Sequence, residues 1–132
     1  MSEDLVRINK NTFKTLVAIT EEEQNTGLMW QKAPTPVMVF AFEKPDVHKF
    51  WMMNTIAELD IIFCKSGKVV EIHRGEPLSL DLVGPDFPID LVIEIPFGSV
   101  KNYKIATGDD VELKYSVATL SRKYAKKLAS VA

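Results

Sequence analysis

Short runs in which apolar and polar residues alternate recur along most of the chain, and a period of two is typical of β-strands. The run 111–117 alternates most regularly, whereas the run 37–42 is apolar throughout, as expected of a strand covered on both faces. Ser66-Gly67 separates two further runs and is a hairpin turn signal. The pattern predicts strands at 13–19, 37–42, 50–55, 60–65, 68–73, 91–95 and 111–117.

Two helices are predicted, one near residues 20–27 and one at the C-terminus. Thr20 and Glu23 have the spacing of a capping box, and Gly27 can end the first helix in a left-handed conformation. The second is amphipathic, with Leu120, Tyr124 and Leu128 on one face and Arg122, Lys123, Lys126 and Lys127 on the other. The basic face could attach to an acidic membrane or nucleic acid. Four charges are few, so a solvated helix docked on the sheet or on a partner is the simpler interpretation.

Many short strands joined by turns, with only brief helices, predict a mainly β protein built as a largely antiparallel β-sandwich or small barrel of about seven strands. The expected organisation is a flexible N-terminus at 1–12, a single β domain at 13–117 and the amphipathic helix at 118–132. Within the N-terminal segment, a short edge pairing is open to Leu5, Val6 and Ile8.

The segment 50–55 combines four large side chains with an amide and a hydroxyl. As a strand it would be apolar on both faces, so it is expected to be covered on both sides. A buried amide such as that of Asn54 costs about 1–3 kcal/mol unless it finds hydrogen-bond partners. Asn54 and Thr55 therefore either secure the following turn or form the polar floor of a pocket walled by Trp51 and Met53.

The composition fits one globular domain. The chain has 132 residues, of which 46% are apolar, enough to bury a core. Its net charge of −2 offers no electrostatic attraction for nucleic acid. Cys64 is the single cysteine, so no internal disulfide is possible. The first four residues do not resemble a signal peptide, and no apolar run approaches the roughly 20 residues that cross a bilayer, so the cytoplasm is the expected compartment.

Two acidic residues beside apolar runs are the main candidates for chemistry. Asp60 opens a strongly apolar strand, where it either caps backbone donors or contacts a ligand. Glu94 alternates with Ile93 and Ile95, and it either faces solvent or joins Asp60 in acid–base catalysis. The spacing does not decide between these alternatives.

Metal and cofactor chemistry is not indicated. His48 and His73 lie in separate segments, and the chain has no His-x-His or Cys-x-x-Cys spacing and no Gly-rich phosphate loop. The methionines could offer thioethers to copper, but methionine near aromatic residues usually fills a core. We expect no metal and no cofactor.

Six short motifs are spread over most of the chain: Gly27-Leu28-Met29, Phe50-Trp51-Met52-Met53-Asn54-Thr55, Leu59-Asp60-Ile61-Ile62-Phe63, Gly67-Lys68-Val69-Val70, Glu94-Ile95-Pro96-Phe97-Gly98 and Gly108-Asp109. Together they resemble the family called domain of unknown function 192 (DUF192), a group of small prokaryotic proteins. The resemblance covers roughly residues 13–117 and implies a compact β-rich fold with a helix packed on it. It implies no activity, because the family has no established one. Thr26 stands where the family usually has an arginine, so no anionic ligand is implied there.

Three hypotheses follow for function. The first is a non-catalytic β-sandwich module that binds a small polar ligand or a protein partner, and it is preferred. The second is a hydrolase-like enzyme that uses Asp60 and Glu94, and the third is a structural or assembly component, for example a homo-oligomer. The residues predicted to gather at a ligand site are Met29, Trp51, Asn54, Thr55, Asp60 and Glu94.

Overall fold

Seven β-strands form one sheet that curls into a half-barrel. The computed structural model describes residues 3–123. The strands are β1 (Glu3–Ile8), β2 (Asn11–Ala18), β3 (Val37–Asp46), β4 (Leu59–Lys65), β5 (Lys68–Gly75), β6 (Ile89–Pro96) and β7 (Val111–Leu113). The helices in the described part of the chain are α1 (Glu21–Thr26), α2 (Ser99–Asn102) and α3, which occupies 117–123. The predicted mainly β class with seven strands is confirmed.

The strand order in the sheet is β5-β4-β6-β3-β2-β1-β7. Neighbouring strands are antiparallel except for β2 and β3, which are parallel and are joined by the crossover that contains α1. The two outer strands approach each other at one end, because the Gly108 amide donates to the Val69 carbonyl (2.8 Å) and the Val111 amide donates to the Gly67 carbonyl (2.9 Å). These bonds leave fewer unpaired groups at the sheet edges.

The N-terminal segment corrects one prediction. Residues 1–12 were expected to be flexible, but β1 pairs with β2 on one side and with β7 on the other. Leu5, Val6 and Ile8 are all at least 99% buried. The polar residues between these three are typical of a flexible terminus. In the structure, two ladders of backbone hydrogen bonds and three buried side chains hold the segment in the sheet.

The segment 50–55 corrects a second prediction, because it is a loop and not a strand. Phe50 makes a single bridge to Val83, after which the chain turns, with the Thr55 amide donating to the Met52 carbonyl (3.0 Å). Asn54 in this turn has a φ of +54°, a left-handed conformation that asparagine tolerates well. The large side chains that suggested a strand belong to a layer that covers the sheet.

The predicted strand at 111–117 is also shorter than expected, since β7 ends at Leu113 and α3 begins at residue 117. Leu120 on α3 is fully buried and packs with Leu5 and Val17. The predicted amphipathic helix is therefore docked on the sheet at this point. Tyr124, Lys126, Lys127 and Leu128 lie outside the described residues.

Alternation along the central strands divides the core into two layers. The inner layer includes Ile62 and Ile93, and the outer layer includes Ile61 and Val92. Both faces of β4 and β6 are thus buried. The outer layer is completed by Leu28, after α1, and by Met52 in the loop 50–55, so loops take the place of a second sheet.

Local sequence signals set the ends of α1 as predicted. The Glu23 amide donates to the Thr20 hydroxyl (3.1 Å), and the Thr20 amide donates to the Glu23 carboxylate (2.9 Å), which forms the capping box. Gly27 ends the helix with a φ of +49°. These caps fix where the chain leaves α1 and crosses the outer face.

Asp60 caps backbone donors, as one of its two interpretations predicted. Its Oδ2 accepts hydrogen bonds from the amides of Gly98 (3.1 Å) and Val100 (3.0 Å) at the start of α2. The side chain is 6% exposed and lies on the inner side of the sheet, the side of Ile62. It therefore ties α2 to the strand β4.

Replacing Asp60 should destabilise the protein strongly. Asp60→Ala leaves two partly buried backbone amides without an acceptor, so we expect a loss of about 3 kcal/mol in the free energy of unfolding, measured by urea denaturation. Asp90→Ala is the matched control, because Asp90 accepts one exposed turn amide, that of Ser66 (3.1 Å). The control should lose less than about 1 kcal/mol. Equal losses in the two variants would contradict the role of Asp60.

Candidate functional site

Glu94 places a carboxyl group on a face of the sheet where its neighbours on the adjacent strands are apolar. The alternation of β6 puts Ile93 and Ile95 on the inner side and Glu94 on the outer side. Its cross-strand neighbours are Met38 on β3 and Ile61 on β4. Glu94 is only 4% exposed, so the interpretation that it faces solvent is wrong. Its burial follows from the loops that cover the outer face.

A partly open cavity lies above Glu94, between the end of α1 and the loop that precedes β4. Gly27 passes directly over the carboxyl group, since a β-carbon added there would lie 3.5 Å from Glu94 Oε1. The cavity has a volume of about 160 Å³. Its walls include Met29, Phe42, His48, Phe50, Trp51, Met53 and Thr55.

The carboxyl group of Glu94 has no hydrogen-bond or ion-pair partner among residues 3–123. Removal from water disfavours the charged form of an acid. Burial accordingly raises the pKa of Glu94 to about 8. At neutral pH the site thus holds a largely protonated carboxylic acid, which can donate one hydrogen bond and accept others.

Two basic side chains line the same cavity, and neither contacts Glu94. His48 stacks on Phe42 with ring centroids 3.7 Å apart, and its Nε2 atom is buried without a hydrogen-bond partner in the described part of the chain. Burial lowers the pKa of His48 and so favours the neutral form of its ring. The Lys49 ammonium binds the Gly84 carbonyl and the Asp86 carboxylate, the latter at 2.6 Å.

The remaining walls combine aromatic and thioether groups with the polar residues at the end of α1. Phe50 packs edge-to-face against Phe40 at a centroid distance of 4.9 Å, which fixes its orientation. Trp51 is 44% exposed and stands at the solvent side of the cavity. The Thr55 hydroxyl donates to the Met53 carbonyl (3.2 Å), so its hydrogen is already used within the turn.

An apolar rim lies on the loops next to this site; we use the term for Trp30, Trp51, Leu78, Leu80 and Leu82, each at least 44% exposed. Backbone hydrogen bonds join the segments that carry them. The Trp30 amide donates to the Asn54 carbonyl (2.9 Å), and the Leu78 amide donates to the Thr55 carbonyl (3.0 Å). The rim is therefore one connected layer of loops.

Four of the six predicted site residues line the cavity, namely Met29, Trp51, Thr55 and Glu94. Asn54 does not line it; this residue forms the adjoining turn, as its structural interpretation predicted. Asp60 lies on the opposite side of the sheet from Glu94, because Asp60 pairs with Ile95 and Glu94 pairs with Ile61. The two carboxyl groups cannot flank one substrate, so the proposed pair does not form.

His48 and Phe42 were missed as site residues. The sequence shows a histidine three residues before Trp51, within the same loop, and this proximity was the available signal. The stacking of His48 on Phe42 joins residues from a strand end and a loop, and no local pattern predicts it.

The structure offers little for metal or thiol chemistry. Among residues 3–123, no three His, Cys, Asp or Glu side chains come together as a metal site. Burial raises the pKa of the Cys64 thiol far above its usual range, which makes it unreactive. None of the helices described is both long and apolar enough to cross a bilayer.

Comparisons with known proteins give a family but no activity. No curated protein matches the sequence significantly. A crystal structure of a protein of unknown function from Novosphingobium aromaticivorans DSM 12444 is 31% identical, with a TM-score of 0.77, over 82% of this chain and 83% of that one. A crystal structure from Sinorhizobium meliloti 1021, provisionally described as a transcription regulator, is 29% identical, also with a TM-score of 0.77, over 83% of this chain and 92% of that one.

The family comparison agrees with the motifs in the sequence. The profile of DUF192, described as "Uncharacterized ACR", matches residues 5–113. This match spans β1 to β7 and includes every residue that lines the cavity. The chain belongs to the DUF192 family.

Proposed function

We propose that this protein is a non-catalytic binding module whose cavity above Glu94 takes one small polar group of a ligand. The observation that carries the proposal is the buried carboxyl group of Glu94, which has no partner among the described residues and faces a cavity open to solvent. Apolar walls with a few convergent polar groups are typical of small-molecule sites.

The energetics of burial support a binding role. A polar group buried without a hydrogen bond costs about 1–3 kcal/mol by mutational measures, and an ionised one costs more. Such groups persist where they serve a function, and strongly perturbed acids cluster at functional sites. A ligand that satisfies the Glu94 carboxyl group would recover part of this cost.

Binding is a better fit than catalysis because the cavity offers a single acid. Acid–base catalysis needs a second group within hydrogen-bond reach of the reacting atoms. Of the other ionisable groups in the lining, Lys49 is held by Asp86, and the ring of His48 is stacked on Phe42 and makes no hydrogen bond to Glu94 within residues 3–123. Asp60, the proposed second carboxylate, lies across the sheet.

A protein partner is the second candidate, favoured by the apolar rim. Large exposed apolar side chains on adjoining loops often mark interaction sites. The partner is either another protein or a second copy of this chain, with one side chain entering the cavity. The name of the Sinorhizobium protein suggests transcription, but a net charge of −2 does not favour direct contact with DNA.

A screen of small polar fragments should find ligands for this cavity. We expect weak binders to shift the amide resonances of Gly27 and Met29 and the indole resonance of Trp51 in 15N-resolved NMR spectra, because these groups surround Glu94. Glu94→Gln should weaken the best binder at least tenfold, since the amide cannot ionise. Glu112→Gln, an exposed change on β7, should leave it unaffected. Shifts confined to Trp30, Leu80 and Leu82 would favour the partner surface, and no binder at all would contradict the ligand site.

The burial of Glu94 should also make stability fall as pH rises. Its pKa is raised from 4.5 to about 8 in the folded protein. Between these values the unfolded chain has lost the proton that the folded chain keeps, so the free energy of unfolding falls by about 1.4 kcal/mol per pH unit relative to Glu94→Gln. Urea denaturation of both proteins at pH 5, 6 and 7.5 measures this difference. A difference that is constant over this range would contradict a raised pKa.

A further inference from the structure

We propose that the group taken by the cavity is a primary alkylammonium, carried either by a small free amine or by a lysine side chain. This inference rests on the proposed function, and it adds the chemical class of the ligand. It follows from the charge, the wall chemistry and the size of the cavity, taken in turn.

The ionisable groups that line the cavity favour a positively charged ligand. Glu94 is the only acidic side chain among the described residues that line the cavity, and its carboxyl group has no cationic partner there. Lys49 is paired with Asp86, and the Nε2 atom of His48 is buried without a hydrogen bond. An anionic ligand could be held only by the single O–H donor of protonated Glu94, whereas a cation with N–H donors would supply both a counter-charge for the ionised carboxylate and several hydrogen bonds.

The walls suit the same ligand. Phe50 and Trp51 line the cavity, and an ammonium group placed over the face of either ring would be attracted to it. The thioether side chains of Met29 and Met53 provide an apolar surface for an alkyl chain. A ligand with its ammonium group beside Glu94 and its alkyl chain directed toward Trp51 would therefore match both the carboxyl group and the apolar wall of the cavity.

The size of the cavity limits the length of the ligand's alkyl chain. Its volume is about 160 Å³. A protein cavity of about 150 Å³ holds a benzene molecule, so this space accepts a linear amine of four or five carbons but not a large ring system. A lysine side chain has the same dimensions as n-butylammonium.

Binding of an ammonium should release a proton. The ionisable groups that face the site are Glu94 from β6 and His48 and Lys49 from the loop before β4, and the wall between Gln24 and Met29 contributes none. The ammonium stays charged below about pH 10. Since the complex requires ionised Glu94, whose pKa in the free protein is about 8, affinity should rise about eightfold from pH 6.5 to 7.5. Burial lowers the pKa of His48, which favours its neutral form.

The test uses the intact protein and four probes, and 15N-resolved NMR titrations at pH 6.5 and 7.5 measure the binding of each. We expect n-butylammonium to bind at least tenfold more tightly than 1-butanol and than tetramethylammonium, which lacks N–H donors. We expect Glu94→Gln to bind n-butylammonium at least tenfold more weakly and without the pH dependence. Glu112→Gln should retain both the affinity for n-butylammonium and its pH dependence. A comparison of Nα-acetyl-lysine N-methylamide with n-butylammonium shows whether a lysine side chain or a free amine is the better ligand.

The outcomes separate the ligand class from the proposed function. Equal binding of 1-butanol or tetramethylammonium in the cavity would overturn the ammonium assignment and leave a binding module. Binding of n-butylammonium that Glu94→Gln does not weaken would overturn it as well. If no ammonium probe binds but other fragments shift Gly27 and Trp51, only the ligand class is wrong. If no fragment binds either, both proposals fail.

Discussion

The central strands of this protein must be covered on both faces, and the rest of the structure depends on that constraint. β4 and β6 carry buried apolar side chains on each side. Curling of the sheet encloses the inner side, with α2 held beneath it by Asp60. The outer side has no second sheet, so the chain after α1 and the loop before β4 cover it. A loop cover is less regular than a sheet, and its irregularity leaves room for a cavity.

Glu94 is an exception to the apolar pattern that this burial demands. An isoleucine or valine at this position would continue the outer layer formed by Ile61 and Val92. The carboxyl group instead lies below the cavity with no hydrogen-bond partner among residues 3–123, while Lys49 is paired with Asp86 and His48 is stacked on Phe42. Stability is thereby lowered at neutral pH and above, an effect that is common at functional sites and agrees with the proposed binding role.

Local signals predicted much of the fold, and tertiary contacts decided the rest. The capping box of Thr20 and Glu23 and the Ser66-Gly67 hairpin were predictable because each acts within a few residues. The loop 50–55 was not, since large apolar side chains look the same in a strand and in a loop that covers one. The strand β1 pairs with both β2 and β7, and β7 lies more than a hundred residues away in sequence.

The site was predicted in part for the same reason. Met29, Trp51, Thr55 and Glu94 were identified as candidates, but their meeting depends on loops folding over the outer face. The spacing of Asp60 and Glu94 suggested a pair, yet a difference of one residue in strand register put them on opposite sides of the sheet. What no sequence pattern shows is that a buried acid lacks a partner.

A direct NMR titration of the Glu94 carboxyl carbon tests this picture most sharply. The side-chain 13C resonance, assigned by its loss in Glu94→Gln, should titrate with an apparent pKa near 8. It should do so in the ligand-free protein and shift to lower pH when an ammonium ligand is bound. A midpoint near the ordinary value of 4.5 would show that the carboxyl group is solvated or paired, and the cavity would then lose the feature on which binding depends.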